Sequence, residues 1–344
     1  MPRKRRQSRN VPSELSDVAD VAVQDDSRVQ RNQPGNESSP TSAQWTTLRK
    51  HIRKDQKNIS VRSIYGSPAK GGAIYRWGLS TAIDGPIDLP TDWLSRLAVG
   101  DSKLGKRFRV VEPESALTQI QDALHGTSCS VSDATRAVIL AAAMPNLMDR
   151  IGEHDWWDLL GTVQEFRDGI LHRDSTHPAV LIGGAELGLT LAWALRSLPS
   201  CRRLAVRGLD ALKSWCQQGE LCVTSVLERP GDVRCVLASV LRLHRLLSAI
   251  GSDNDLSSVL GNKRVKTIGK RRDQLESVGR ELATWAAALT RENGTQALTA
   301  ISRKEAKDDV GDDGLLMKAA DLDKDTLVPT MQAAVGRGTT KGRL

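Results

Sequence analysis

The sequence predicts a mainly α protein, and three observations carry that expectation. Strand formers are scarce: aromatic residues are 3% of the 344-residue chain, with two Tyr and two Phe. Leu, Ala and Val must therefore build the core, a composition that favours helices. From about residue 112 to 290, apolar residues recur every three or four positions, which is the helical period. Short Gly, Pro or Asp breaks separate these runs. Each run must bury one stripe against its neighbours, so antiparallel helical hairpins follow. A helical array, a bundle or a closed α/α ring satisfies that requirement.

The elements are expected in this order. Residues 1–42 are rich in Ser, Asn, Gln, Asp and Arg and begin with Arg3-Lys4-Arg5-Arg6; they bury too little apolar area to fold alone and read as a disordered arm. Residues 43–85 form an irregular lead-in, in which QWTTLRKHIRKDQKN reads as a short basic helix. The helical domain spans 86–302. In TDWLSRLAVGD, Thr91 or Asp92 caps a helix that stops near Gly100. EPESALTQIQDALHG has Pro113 in its first turn, Leu117, Ile120 and Leu124 on one stripe, and Gly126 at its end. SVSDATRAVILAAAMP is capped by Ser132 or Asp133 and stops at Pro145. The next helix starts at Asp155 and carries Trp156, Leu160, Val163 and Ile170.

LIGGAELGLTLAWALRSLPSCRRL follows, with Gly183-Gly184 expected to turn the chain into a helix and Glu186 in its first turn, where negative charge is favoured. Arg202 and Arg203 come after Pro199 and open the next helix, which Gly219 closes. Val233, Val236, Leu237, Val240, Leu247 and Ile250 make one side of a further helix. Leu275, Val278, Leu282, Trp285 and Leu289 make the stripe of the last, before an Asn293-Gly294 turn. NKRVKTIGKRR, residues 262–272, reads as a solvated linker ahead of it. Residues 303–344 form a charged, mostly loose tail, with one short helix around Leu315–Leu322.

Charge and cysteine content narrow the chemistry. A net charge of +8 suits anionic partners: nucleic acid, acidic polysaccharide or a membrane surface. Cys129, Cys201, Cys216, Cys222 and Cys235 are unclustered, with no Cys-x-x-Cys pair. They predict buried thiols, neither a disulfide framework nor a zinc site. No apolar h-region or 18-residue apolar run is present, so neither a signal peptide nor a membrane span is expected and a cytoplasmic location is the default. DDVGDD at 308–313 lacks the spacing of a calcium loop, and no metal site is expected. No Walker loop, dinucleotide fingerprint, Gly-x-Ser-x-Gly or His-Glu-x-x-His occurs, and no cofactor is expected. Lys263, Arg264, Lys266, Lys270, Arg271 and Arg272 form the strongest internal basic cluster. His244 shares the apolar side of its helix with Leu237, Val240 and Leu247. It reads as a hydrogen-bonded core histidine or as a general base beside a carboxylate.

GGAELGLTLAWALRSLPSCRRL resembles a segment in the N-terminal helical part of heparinase II/III-like proteins. SVLERPGDVRCVLASVLRLHRLLSAIG occupies the place of another family helix, and WAAALTRENGTQALT is similar to a later one; the resemblance covers roughly 90–300. It implies an incomplete (α/α) toroid whose concave face binds an acidic polysaccharide, with an open array or bundle as the alternative. It also implies cleavage by β-elimination, in which a base takes the C5 proton and an acid, often Tyr, protonates the leaving oxygen. The family's C-terminal β-sandwich has no counterpart in the 303–344 segment. Tyr65 and Tyr75 both precede the helical region, so the family's catalytic His and Tyr match no position here.

The expected function is accordingly polysaccharide binding, with lyase-like activity at most. Glu186, Arg202, Arg203, Arg234 and His244 are the candidate polar residues of the cleft, the arginines pairing substrate carboxylates bidentately. The alternative is a helical interaction module for a protein partner or for nucleic acid. Nucleic acid would engage the Arg3–Arg6 arm and the Lys263–Arg272 cluster.

Overall fold

The computed structural model describes residues 42–58, 64–65, 77, 89–100, 104, 112–126 and 129–288. The basic arm, DDVGDD, the Leu315–Leu322 helix and the Asn293-Gly294 turn lie outside the described residues. Every regular element among the described residues is helical, as the composition requires. The elements are α1 (Ser42–Asn58), α2 (Leu89–Ala98), α3 (Pro113–His125), α4 (Val131–Leu147) and α5 (Glu153–Ile170). A π-helical segment (Val180–Glu186) then runs directly into α6 (Leu187–Ala194). It is followed by α7 (Pro199–Gln217), α8 (Glu220–Leu227), a 3-10 turn (Pro230–Asp232), α9 (Val233–Ser252) and α10 (Asn254–Ala288).

Helix ends follow local chemistry, sometimes a few residues from the expected ones. Pro113 opens α3 and Gly126 follows its end, as expected. At α4 the cap is Ser130: its Oγ accepts from the Asp133 amide at 3.1 Å, while Asp133 Oδ2 accepts from the Ser130 amide at 3.0 Å. This reciprocal box satisfies two orphan donors and outcompetes a start at Ser132. α4 also continues past Pro145 to Leu147, because a proline in the last turn removes only one backbone bond. α5 starts at Glu153, which places both Glu153 and Asp155 in the positive first turn. α2 starts at Leu89, so Thr91 is buried inside it, and Asp92 pairs instead with Arg96 Nε one turn on at 3.0 Å. The supposed linker 262–272 is part of α10, whose one backbone break is Gly261 at φ 72°.

The π segment and α6 form the centre of the fold, and every residue in them is buried. α4, α7 and α9 pack against both, and α5 packs against the π segment. α9 lies along α10, and α10 also rests on α7. A central helix has no solvent face, which is why LGLTLAWA lacks polar periodicity. α1 is fastened to the rest by Arg49 Nη2 on Asp149 Oδ1 at 2.7 Å, by Arg53 on the same carboxylate, and by Ser197 donating to Asp55. Trp45 of α1 also packs on Trp156 with ring centroids 5.5 Å apart.

Gly183 and Gly184 do not form a turn. They lie inside the π segment, where a Cβ on Gly183 would stand 2.3 Å from Ile170 Cδ1 of α5. Their role is close approach between elements. Gly208 does the same for α7: a Cβ there would meet Ala185 O and Leu189 N at 3.1 Å each. Both neighbours are backbone atoms of the central element and cannot swing aside. Gly208→Ala is therefore expected to destabilise the fold by about 1–3 kcal/mol, the usual range for overpacking. A lowered urea midpoint with unchanged slope would report it; an unchanged midpoint would mean that the helices part at no cost.

Among the described residues no helix is long and apolar enough to cross a membrane. All five cysteines are free. Burial pushes the Cys201 and Cys235 thiols up to about 12 and the Cys216 thiol up to about 11, so they are protonated at neutral pH.

Candidate functional site

Glu186 ends the π segment with a carboxylate that is 0% exposed. A charge in such a place requires a partner, and α9 supplies two. Arg242 donates Nε to Glu186 Oε1 at 2.5 Å and Nη2 to Oε2 at 3.0 Å, a bidentate pair. Ser239, one turn earlier on α9, donates its hydroxyl to Oε2 at 2.6 Å. The lead-in covers the guanidinium: Arg242 Cζ lies 4.7 Å from the centroid of the Trp77 ring. Tyr65 stacks on Trp77 at 5.3 Å and donates its hydroxyl to Thr190 Oγ1 of α6 at 3.1 Å. Burial raises the Tyr65 phenol well above its ordinary value, so it stays protonated. The result is a buried polar network linking the lead-in, the central element and α9. Glu186 is the last residue of the π-helical segment.

The five candidate residues do not gather at one cleft. Glu186 is not a first-turn charge facing a ligand; its oxygens are held by Arg242 and Ser239. Arg234, at the start of α9, is 3% exposed. Arg203 points outward on α7, while Arg202 is half-buried with its Nε lacking a hydrogen-bond partner. Neither holds a carboxylate among the described residues. His244 is half-buried and faces α10, with its Nε2 3.4 Å from Arg272 Nη2. Since the arginine nitrogen donates, Nε2 accepts and the imidazole is neutral.

Burial, followed by the charge of Arg272, holds the His244 pKa below its ordinary 6.5. The folded state therefore binds this proton less well than the unfolded chain. Stability from this contact is full above the unfolded value and is lost as pH falls from 6.5 through the depressed folded value. His244→Gln, which keeps an acceptor and cannot gain a charge, is expected to lose less thermal stability than wild type between neutral and mildly acidic pH. Parallel losses in the two proteins would assign the acid sensitivity elsewhere, for example to His177, whose pKa is also lowered by burial.

One feature of this site was not legible in sequence. Arg242 lies two residues before the highlighted His244, and it was the arginine that the buried carboxylate recruited. The signal was present as a glutamate in an apolar run, which demands a buried cation. Nothing in one sequence says which cation, fifty-six positions on, it will be.

The second candidate surface is the outer face of α10. Residues 262–272 contain six basic residues and no acidic one. Because this stretch is helical, Lys263, Lys266 and Lys270 follow three- and four-residue steps and share an exposed row. Arg271 is instead buried at 8% exposure, donating to Gln274 at 2.6 Å, and Arg272 turns toward His244. Among the described residues no group of three His, Cys, Asp or Glu could hold a metal ion.

No family model matches the chain, and no curated protein or solved structure matches it.

Proposed function

We propose that this chain is a helical polyanion-binding protein, related to the heparinase II/III-like lyases, that holds an acidic polysaccharide without cleaving it. The observation that carries the reading is the exposed row Lys263, Lys266 and Lys270 on a helix stretch free of carboxylates. A rigid row of cations neutralises a linear polyanion at several points and gains by releasing its counterions. Binding without cleavage follows from the buried network. β-Elimination needs a base and an acid that reach the sugar, whereas Glu186 is occupied by Arg242 and Ser239 and the Tyr65 hydroxyl by Thr190. The incomplete (α/α) toroid and a cytoplasmic location belong to the same proposal.

The test is to titrate the full-length chain with a uronic-acid polymer at several salt concentrations while recording absorbance of unsaturated product. Salt-dependent binding with no rise in absorbance is expected. A rise would show cleavage and overturn the non-catalytic half of the proposal. Absence of binding would overturn the whole. Duplex DNA serves as the rival ligand: DNA binding that much exceeds glycan binding at equal salt would replace the polysaccharide with nucleic acid.

A further inference from the structure

The basic stretch of α10 meets a second helix. At the seam between α7 and α10, Arg264 donates Nε to Asp210 Oδ1 at 3.4 Å and Nη2 to Oδ2 at 3.1 Å. The two side chains are 43% and 54% exposed, so the pair sits in water. Cations flank Asp210 along its own helix. Arg207 and Lys213 stand one turn before and after Asp210 on α7, both exposed, and exposed Lys263 directly precedes Arg264. Neither Arg207 nor Lys213 holds a carboxylate among the described residues. The two helices run side by side here: two turns beyond Arg264, Arg271 is close enough for its charge to act on the Cys216 thiol of α7. Asp210 is therefore a surface carboxylate flanked along α7 by two exposed cations and gripped side-on by a guanidinium fork.

We infer that a carboxylate of the bound polysaccharide takes the place of Asp210 on Arg264, so that the ligand lies across both α7 and α10. This rests on the polyanion-binding reading above. The fork geometry is that of carboxylate recognition, which a lysine cannot reproduce. An exposed ion pair is weakly held and exchangeable. Arg207, Lys213 and Lys263 then meet the neighbouring acidic groups of the same strand. Asp210 is a placeholder that keeps Arg264 oriented toward solvent while the surface is empty.

The experiment uses the full-length chain and polygalacturonate, an unsulfated uronate polymer. Asp210→Asn removes the internal competitor and is expected to tighten binding about two- to fivefold, the range an exposed ion pair represents. Asp122→Asn, on exposed α3, makes the same change in net charge away from the seam and is expected to give a clearly smaller gain. Arg264→Lys retains the charge but loses the fork. It is expected to weaken binding and to abolish the gain from Asp210→Asn in the double variant. Equal gains from Asp210→Asn and Asp122→Asn, or a gain that survives Arg264→Lys, would overturn the placeholder role while leaving polyanion binding intact. Tightening toward duplex DNA but not toward polygalacturonate would overturn the carboxylate assignment. If wild type binds no polygalacturonate, the reading beneath the inference falls first.

Discussion

Glu186→Gln is expected to lower folding stability by about 3–5 kcal/mol, the usual cost of removing one member of a buried ion pair. The substitution preserves shape but strips the charge that Arg242 faces. Arg242 is 3% exposed, so its guanidinium cannot turn to water without opening the seam between α9 and the central element. The Trp77 face at 4.7 Å offsets part of the charge but does not replace a bidentate carboxylate. Arg242→Met is expected to be comparably damaging, because it leaves the Glu186 carboxyl at 0% exposure without its bidentate partner. Glu186→Leu with Arg242→Met should lose less than either single variant, since burying neither charge is cheaper than burying one. Urea unfolding of wild type, Glu186→Leu, Arg242→Met and the double variant gives the coupling directly. Single variants within about 1 kcal/mol of wild type would mean that the network relaxes to admit water and does not hold the core.

The second large effect concerns binding. Neutralising Lys263, Lys266 and Lys270 together to Gln is expected to weaken polyanion affinity by about tenfold or more at low salt. The slope of log affinity against log salt should fall by about 0.7–0.9 for each contact removed. Folding stability should stay within about 0.5 kcal/mol of wild type, because all three side chains are on the exposed face. An unchanged salt slope would place the ligand on another surface. A lost slope combined with lost stability would indicate that the row supports α10, not a ligand.

Much of the architecture was readable without coordinates, for reasons visible in particular elements. Pro113 and Gly126 bracket α3 as they should, since proline lacks an amide that the first turn cannot use and the chain leaves the helix at glycine. The stripes of α9 follow directly from steps of three and four. The boundaries that shifted did so by a few residues, where a reciprocal cap at Ser130 and Asp133 outcompeted a nearer candidate. The linker at 262–272 failed for a different reason. Its charge made it look soluble and unstructured, but lysine and arginine are good helix formers, and Ile268 and Arg271 supply the buried edge.

The site was less legible. First-turn electrostatics accounted for Glu186 locally, whereas its partner is a side chain on α9. Among the described residues Arg202 and Arg203 hold no carboxylate, and as neighbours on α7 they diverge by 100° around the helix. The Asp210–Arg264 seam had no sequence signature at all.

The sequence by itself determined that this protein is helical, where most of its helices lie, and that its charge invites an anion. Those properties depend on periods of three to four residues, on caps and on composition, all of which are local. The tertiary structure alone decided that Glu186 is sealed by Arg242, that Gly183 and Gly208 exist for close approach, and that Asp210 of α7 and Arg264 of α10 meet at one surface. Those facts depend on which faces meet across fifty or more residues, and helical periodicity says that a face is apolar without saying what it will touch.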